Sequence, residues 1–218
     1  MEIMEIMKKR HSVRQYSDKA IEREKRTVLD ELAAKINEKA DLHIQVMYDE
    51  PKCFESFMAH YGKFSGVRNY IALVSKKSSE SDEKLGYYGE MLVLEAQKLG
   101  LNTCWVAMTH GKSAAEIGKG EKLYCIISLG YGKVQGIEHK TKPASELCNC
   151  SDNMPDWFRK GIEAAQLAPT AMNQQKFFFE LLDDGTVKAF CGKGFYTKLD
   201  LGIAKYHFEA ASQKKVIL

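Results

Sequence analysis

The residues best equipped for chemistry are Arg10-His11-Ser12-Val13-Arg14, which follow a short helical start. They gather two guanidiniums, an imidazole and a hydroxyl into one turn. A guanidinium forks bidentately onto a phosphate or an electron-rich carbonyl edge, and alternate residues of an extended turn can face one ligand. The set suits an anion with several oxygen acceptors, a phosphate ester first among them. A basic helix end facing water is the alternative reading of the same residues.

A second polar cluster stands at Ala168-Pro169-Thr170-Ala171-Met172-Asn173-Gln174-Gln175. The small-residue stretch 161–167 reads as a helix that Pro169 stops, because the ring disfavours helical backbone in the residue before it and offers no N–H. Thr170, Asn173 and Gln175 carry donors and acceptors that match the mixed edge of a flavin or nucleobase ring. Side chains of these types also form ordinary turns.

The six cysteines are Cys53, Cys104, Cys125, Cys148, Cys150 and Cys191, with no C-x-x-C pair and no histidine at ligand spacing. Reduced thiols are expected. Cys148-Asn149-Cys150 lacks the further ligands a metal needs, and Cys104 and Cys125 sit in apolar stretches as small core residues.

Several elements must position these groups. A first helix ends near Lys9, and residues 22–39 repeat Val28, Leu29, Leu32, Ala33 and Ile36 at helical spacing. Leu42-His43-Ile44-Gln45-Val46 alternates like a half-buried strand, and Tyr70-Ile71-Ala72-Leu73-Val74 is an apolar run of strand length. A largely apolar helix is expected over residues 84–99, stopped by Gly100. Residues 177–182 and 187–190 flank Asp183-Asp184-Gly185-Thr186 as a hairpin. The reading is an α+β fold with a central mixed or antiparallel sheet flanked by helices. Tyr61, Phe64, Phe195 and Tyr196 either cap a bound ring or pack in the core.

The 218 residues suffice for a sizeable core, and 44% apolar with 28% charged residues is ordinary globular composition. A net charge of +3, from 32 basic and 29 acidic residues, is too mild to argue for nucleic acid. The start Met1-Glu2-Ile3-Met4-Glu5 is acidic where a signal peptide is basic, and no apolar run approaches the roughly 20 residues that cross a bilayer. A cytoplasmic protein with no membrane partner is expected. The glycines never form G-x-G-x-x-G in a strand-to-helix context.

Taken together, the Arg10–Arg14 turn and the Pro169–Gln175 segment resemble motifs of the nitroreductase family, flavoproteins that hold FMN. Gly86-Tyr87-Tyr88-Gly89-Glu90 through Leu99-Gly100-Leu101-Asn102-Thr103-Cys104-Trp105-Val106 is similar to the family's long central helix and its exit. Cys125-Ile126-Ile127-Ser128-Leu129-Gly130-Tyr131-Gly132 resembles the buried strand after it, and His139-Lys140-Thr141-Lys142-Pro143 the basic segment at the FMN phosphate. The order departs from the common one, in which the Pro-Ser/Thr-x-x-Asn-x-Gln segment soon follows the arginine motif. Here it lies in the last third, and residues 199–211 resemble the central helix a second time.

The resemblance therefore implies two pseudo-symmetric family-like halves fused in tandem and forming one compact unit. Residues 1–150 would give the phosphate and flavin-edge contacts, and residues 151–218 would complete the pocket. The chain would be a monomeric pseudo-dimer or a homodimer. Arg10 and Arg14 would approach the FMN phosphate, ribityl chain or N1/C2 edge. Ser12 would bond phosphate or ribityl oxygens, and His11 would contribute through its side chain or backbone. Lys140 and Lys142 would close the phosphate site. Pro169, Thr170, Asn173 and Gln175 would line the ring's opposite side, with Val106, Ala107 and Met108 near its pyrimidine end or N5.

The activity so implied is ping-pong hydride transfer from NADH or NADPH to a small electron acceptor, a nitroaromatic, quinone or relative. It needs no protein acid or base and no metal. A cation near N1/C2 would stabilise negative charge on the reduced ring. A non-catalytic flavin-binding or flavin-handling protein is the alternative.

Overall fold

In the computed structural model, which describes residues 2–149 and 154–217, the chain runs α1 (Ile3–Lys9), α2 (Arg23–Ala40), β1 (His43–Met47), α3 (Phe57–Tyr61), β2 (Asn69–Lys76), α4 (Ser81–Lys98), β3 (Asn102–Val106), β4 (Glu121–Gly130), α5 (Asp156–Gln166), β5 (Phe177–Leu181), β6 (Val187–Cys191), α6 (Thr197–Ser212) and β7 (Val216–Ile217). The α+β class is observed, with the strands divided between a four-stranded sheet and a three-stranded one. Two compact units interleave along the sequence. One comprises Arg10–Ser81 and Leu92–Glu138, the other Met1–Lys9, Asp82–Met91 and His139–Leu218.

The first unit is built on the apolar run 70–74. It forms the middle of β2, whose residues are buried from Asn69 to Ser75. A strand buried on both faces needs no alternation. The sheet order is β1-β2-β4-β3, antiparallel throughout, with Ile71 opposite Ile127 and Trp105 opposite Ile127 on the far side. α2 buries Leu29, Ala33 and Ile36, the stripe its spacing predicts, while Val28 stays 39% exposed at the stripe's margin. The helix ends at Asp41 in left-handed backbone. Asn37 then ties helix to strand, its amide exchanging two 2.8 Å hydrogen bonds with the backbone of Ile44 in β1.

In the second unit, β5 and β6 form the expected antiparallel hairpin, and β7 joins β6 in parallel. Phe208 of α6 stacks on Phe179 of β5 with centroids 4.7 Å apart and meets Phe158 of α5 edge-on at 5.5 Å. The first part of α4 crosses α6 backbone to backbone. A Cβ at Gly86 would stand 2.0 Å from Leu199 O, and one at Gly202 would stand 2.0 Å from Glu83 O. Only residues without a side chain allow both approaches. Polar pairs surround the crossing: Lys205 Nζ lies 2.6 Å from Glu83 Oε1, and the Tyr87 hydroxyl donates to Glu209 Oε2 at 2.8 Å.

Cys53, Cys104, Cys125 and Cys191 are free thiols, and Cys148 is disulfide-bonded. The latter corrects the expectation that every thiol is reduced; Cys150 lies outside the described residues. Among the described residues no helix is long and apolar enough to cross a membrane.

Candidate functional site

The arginine turn is an added rung on the edge of the four-stranded sheet. Ser12 bridges Thr103 of β3 in parallel, and Val13 N donates to Thr103 O at 3.0 Å. The turn continues along a second line of bonds, with Ser65 N donating to Arg14 O at 3.0 Å and Tyr16 N to Ser65 O at 2.9 Å. These contacts separate the two arginines, which sequence spacing alone treats alike. Arg10 is drawn in to 3% exposure, whereas Arg14 is exposed with its guanidinium 5.9 Å from the centre of the Phe64 ring. His11 and Ser12 are half-buried. Gly136, at φ +76°, lets its loop cover them, since a Cβ there would lie 2.7 Å from His11 Cβ.

A buried polar layer supports the turn. The Tyr16 hydroxyl donates to Val13 O at 2.7 Å and accepts from Ser128 Oγ at 2.8 Å, with Cys104 O 3.3 Å from Ser128 Oγ as a second acceptor. Burial pushes the Tyr16 hydroxyl well above the usual tyrosine range. Burial likewise raises the Cys104 thiol, against the pull of the Arg14 guanidinium, a hydrogen bond with Ser12 and the Arg10 charge. Cys104 is therefore a neutral prop beneath the turn at ordinary pH. Tyr16, with Phe54, His60, Phe64, Arg68 and Lys133, lines an adjoining cavity of about 600 Å³. Val106 is buried at the end of β3, Ala107 is half-buried, and Met108 is 60% exposed. Of the four aromatics that could cap or pack, only Phe64 is core; Tyr61 is 75% and Phe195 52% exposed.

In the other unit, the structure brings Lys140 and Lys142 together with the Thr170–Gln175 loop. Asn173 Nδ2 and Gln175 Nε2 both donate to Lys140 O at 2.8 Å, and Lys142 N donates to Gln175 Oε1 at 2.9 Å. Gln166, in the last turn of α5, donates from Nε2 to Lys142 O at 2.8 Å and accepts from the His139 ring at 3.0 Å. The loop's remaining groups turn the other way. Asp200 in the first turn of α6 accepts from Ala171 N at 2.9 Å and from Gln174 Nε2 at 2.7 Å. Burial raises the Asp200 carboxyl to about 6 despite those two bonds. Thr170 Oγ1 accepts from Gln175 N at 3.1 Å, and Pro169 is buried.

Held from two sides, the loop places Met172, Asn173 and Gln175 at φ +52°, +54° and +44°. Such backbone is costly for residues other than glycine, and it persists where surrounding bonds over-determine it. Lys140 and Lys142 point outward from this frame, exposed and half-buried respectively, with Lys142 Nζ 3.8 Å from Glu146. The amide of Gln175 is thus taken up by Lys140 O, Lys142 N and Asn173 Oδ1, while that of Asn173 gives one N–H to Lys140 O and accepts from Gln175. Gln166, Asp200 and Tyr16 escaped the sequence reading. Asp200 carried a signal, a lone acid within the apolar Leu199-Asp200-Leu201.

The fold is similar to that of a structure described as a "putative nitroreductase" from Thermotoga maritima, at 24% sequence identity and TM-score 0.73, covering 97% of this chain and 83% of that one. A "putative nitroreductase in complex with FMN" from Desulfovibrio desulfuricans aligns at 18% identity and TM-score 0.53, covering 70% and 98%. A "Putative NADH dehydrogenase/NAD(P)H nitroreductase" from Bacteroides thetaiotaomicron aligns at 19% and 0.53, covering 66% and 95%. At these identities the likeness is one of fold. No curated protein matches the chain. Residues 2–212 match the model of the family described as "Putative TM nitroreductase", and the chain belongs to this family of nitroreductase-type oxidoreductases.

Proposed function

We propose that the chain is an FMN-dependent NAD(P)H oxidoreductase that reduces a small electron acceptor, a nitroaromatic, quinone or related compound, in the cytoplasm. The observation that carries the reading is the Arg10–Arg14 turn bonded into the edge of β3, with Arg10 buried and Arg14 exposed. A guanidinium fork matches the acceptors of a phosphorylated flavin, which carries many oxygens. The donor set of the turn fits such a ligand: two guanidiniums, an imidazole and a hydroxyl.

Bound FMN would supply the hydride chemistry between NADH or NADPH and the acceptor. The chain's own part is to hold and orient. Arg10, His11 and Ser12 offer donors to the phosphate and ribityl oxygens, and Arg14 offers positive charge to the ring's carbonyl edge. In the other unit, Lys140 and Lys142 offer two ammonium groups suited to a phosphate. The bound structure of the Desulfovibrio desulfuricans relative supports the choice of FMN.

The visible spectrum of the purified protein, taken with added FMN before and after anaerobic NADH or NADPH, tests the reading. A bound yellow chromophore that bleaches with either reductant is the expected result, with Arg10→Ala weakening retention at least tenfold. A yellow protein that never bleaches would make the chain a flavin-handling protein instead. Failure to retain FMN at all would overturn the reading.

A further inference from the structure

We propose that Gln166, Asn173 and Gln175 serve the cofactor at one remove: their amides hold the Lys140–Lys142 backbone so that both ammonium groups stand ready for a phosphate, and Gln175 does not contact the flavin ring. The inference rests on the FMN reading and assigns these residues a positioning role within it.

The accounting of hydrogen bonds carries the argument. Gln175 is 3% exposed, and both N–H groups of its amide are committed, one to Lys140 O and one to Asn173 Oδ1 at 3.0 Å. Its oxygen accepts from Lys142 N. A primary amide has two hydrogens and two lone pairs, so Gln175 has no donor left for a ring and almost no surface to offer one. Asn173 gives one N–H to the same carbonyl, which fills both lone pairs of Lys140 O. Gln166 fastens the other end at Lys142 O. Residues 139–143 form no helix or strand, so side chains here do the ordering that a ladder does elsewhere. Fixing the strap beforehand spares the phosphate the entropy of ordering two lysines, which raises affinity without a new contact.

Riboflavin, which carries the same ring and ribityl chain as FMN but no phosphate, separates the two roles. Wild type, Asn173→Ala, Gln175→Ala and the double variant Lys140→Ala/Lys142→Ala are titrated with both ligands. The expected result is a roughly tenfold or greater loss of FMN affinity in each variant with riboflavin affinity unchanged. Adding Gln175→Ala to the lysine double variant should cost nothing more, because both act on one phosphate. Equal losses for the two ligands would place the amides on the ring and overturn the proposal, as would unchanged FMN affinity.

Because Gln175 is buried, Asn173→Gly, at an exposed position in left-handed backbone that glycine adopts without strain, is added as the variant that keeps its fold. A wild type that does not prefer FMN to riboflavin would overturn the functional reading itself. The clamp is then judged by hydrogen exchange at the Lys142 amide: faster exchange in Gln175→Ala upholds it, and unchanged exchange removes it.

Discussion

His207 Nε2 lies 2.9 Å from Glu90 Oε1, both side chains are fully buried, and His207 Nδ1 lies 2.9 Å from Ala164 O. A carbonyl can only accept, so Nδ1 carries a hydrogen, and a further proton must sit between Nε2 and the carboxyl. One imidazole therefore ties α6 both to α4 and to α5. Removing one member of a buried pair costs about 3–5 kcal/mol. His207→Ala should lose stability on that scale in urea unfolding. Glu90→Gln should lose much less, because the glutamine amide can donate to an unprotonated Nε2. Equal losses in both would show that the proton is not shared in this way.

Gly86→Ala is expected to be more damaging than any surface substitution in α4. Its Cβ meets the Leu199 carbonyl at 2.0 Å, main chain on main chain, so relief requires moving one helix. Overpacking of this kind costs about 1–3 kcal/mol or more. The midpoint of thermal unfolding measures it, and Gly202→Ala should behave alike, because its Cβ meets Glu83 O at the same distance.

Asp200 gives stability a pH dependence of definite sign. Its carboxyl lies at about 6 in the fold against an ordinary 3.8. Below 3.8 it is protonated in both states and contributes nothing; as pH rises toward 6 the unfolded chain ionises first, so the fold loses stability. A rise of about two pH units corresponds to about 3 kcal/mol, fully lost above pH 6. Asp200→Asn should therefore gain on the wild type by up to about that amount between pH 4 and pH 7, read from urea midpoints at each pH. A constant difference across that range would refute the assignment.

Tyr16→Phe should loosen the arginine turn from beneath. It removes the donor to Val13 O and the partner of Ser128 Oγ. Leaving such buried groups unsatisfied costs about 1–3 kcal/mol. Faster hydrogen exchange at Val13, whose N–H bonds Thr103 O, should accompany the loss.

Local patterns made much of this architecture legible. β2 and the β5–β6 hairpin follow from apolar runs and turn residues, and α4 from its length and apolar character. β3 is harder to see, because Asn102-Thr103-Cys104 shows no alternation and its pairing with Ser12 is set by tertiary contact. The candidate site was legible as residue types and not as roles. The bonds from Asn173 and Gln175 to Lys140 O span 33 and 35 residues, a distance over which spacing carries no information. Likewise nothing in Arg-x-x-x-Arg reveals which guanidinium goes under the surface.

The interleaved units impose an order on synthesis. The unit of Arg10–Ser81 and Leu92–Glu138 has all its sequence once residue 138 has left the ribosome, whereas Met1–Lys9 and Asp82–Met91 belong to a unit whose remainder starts at His139. Domains fold as their sequence becomes available, amino-terminal parts first. Residues 2–9 and 82–91 therefore wait for their packing partners until the stretch from His139 onward has been made, which lengthens the exposure of those two segments of the nascent chain to chaperones and proteases.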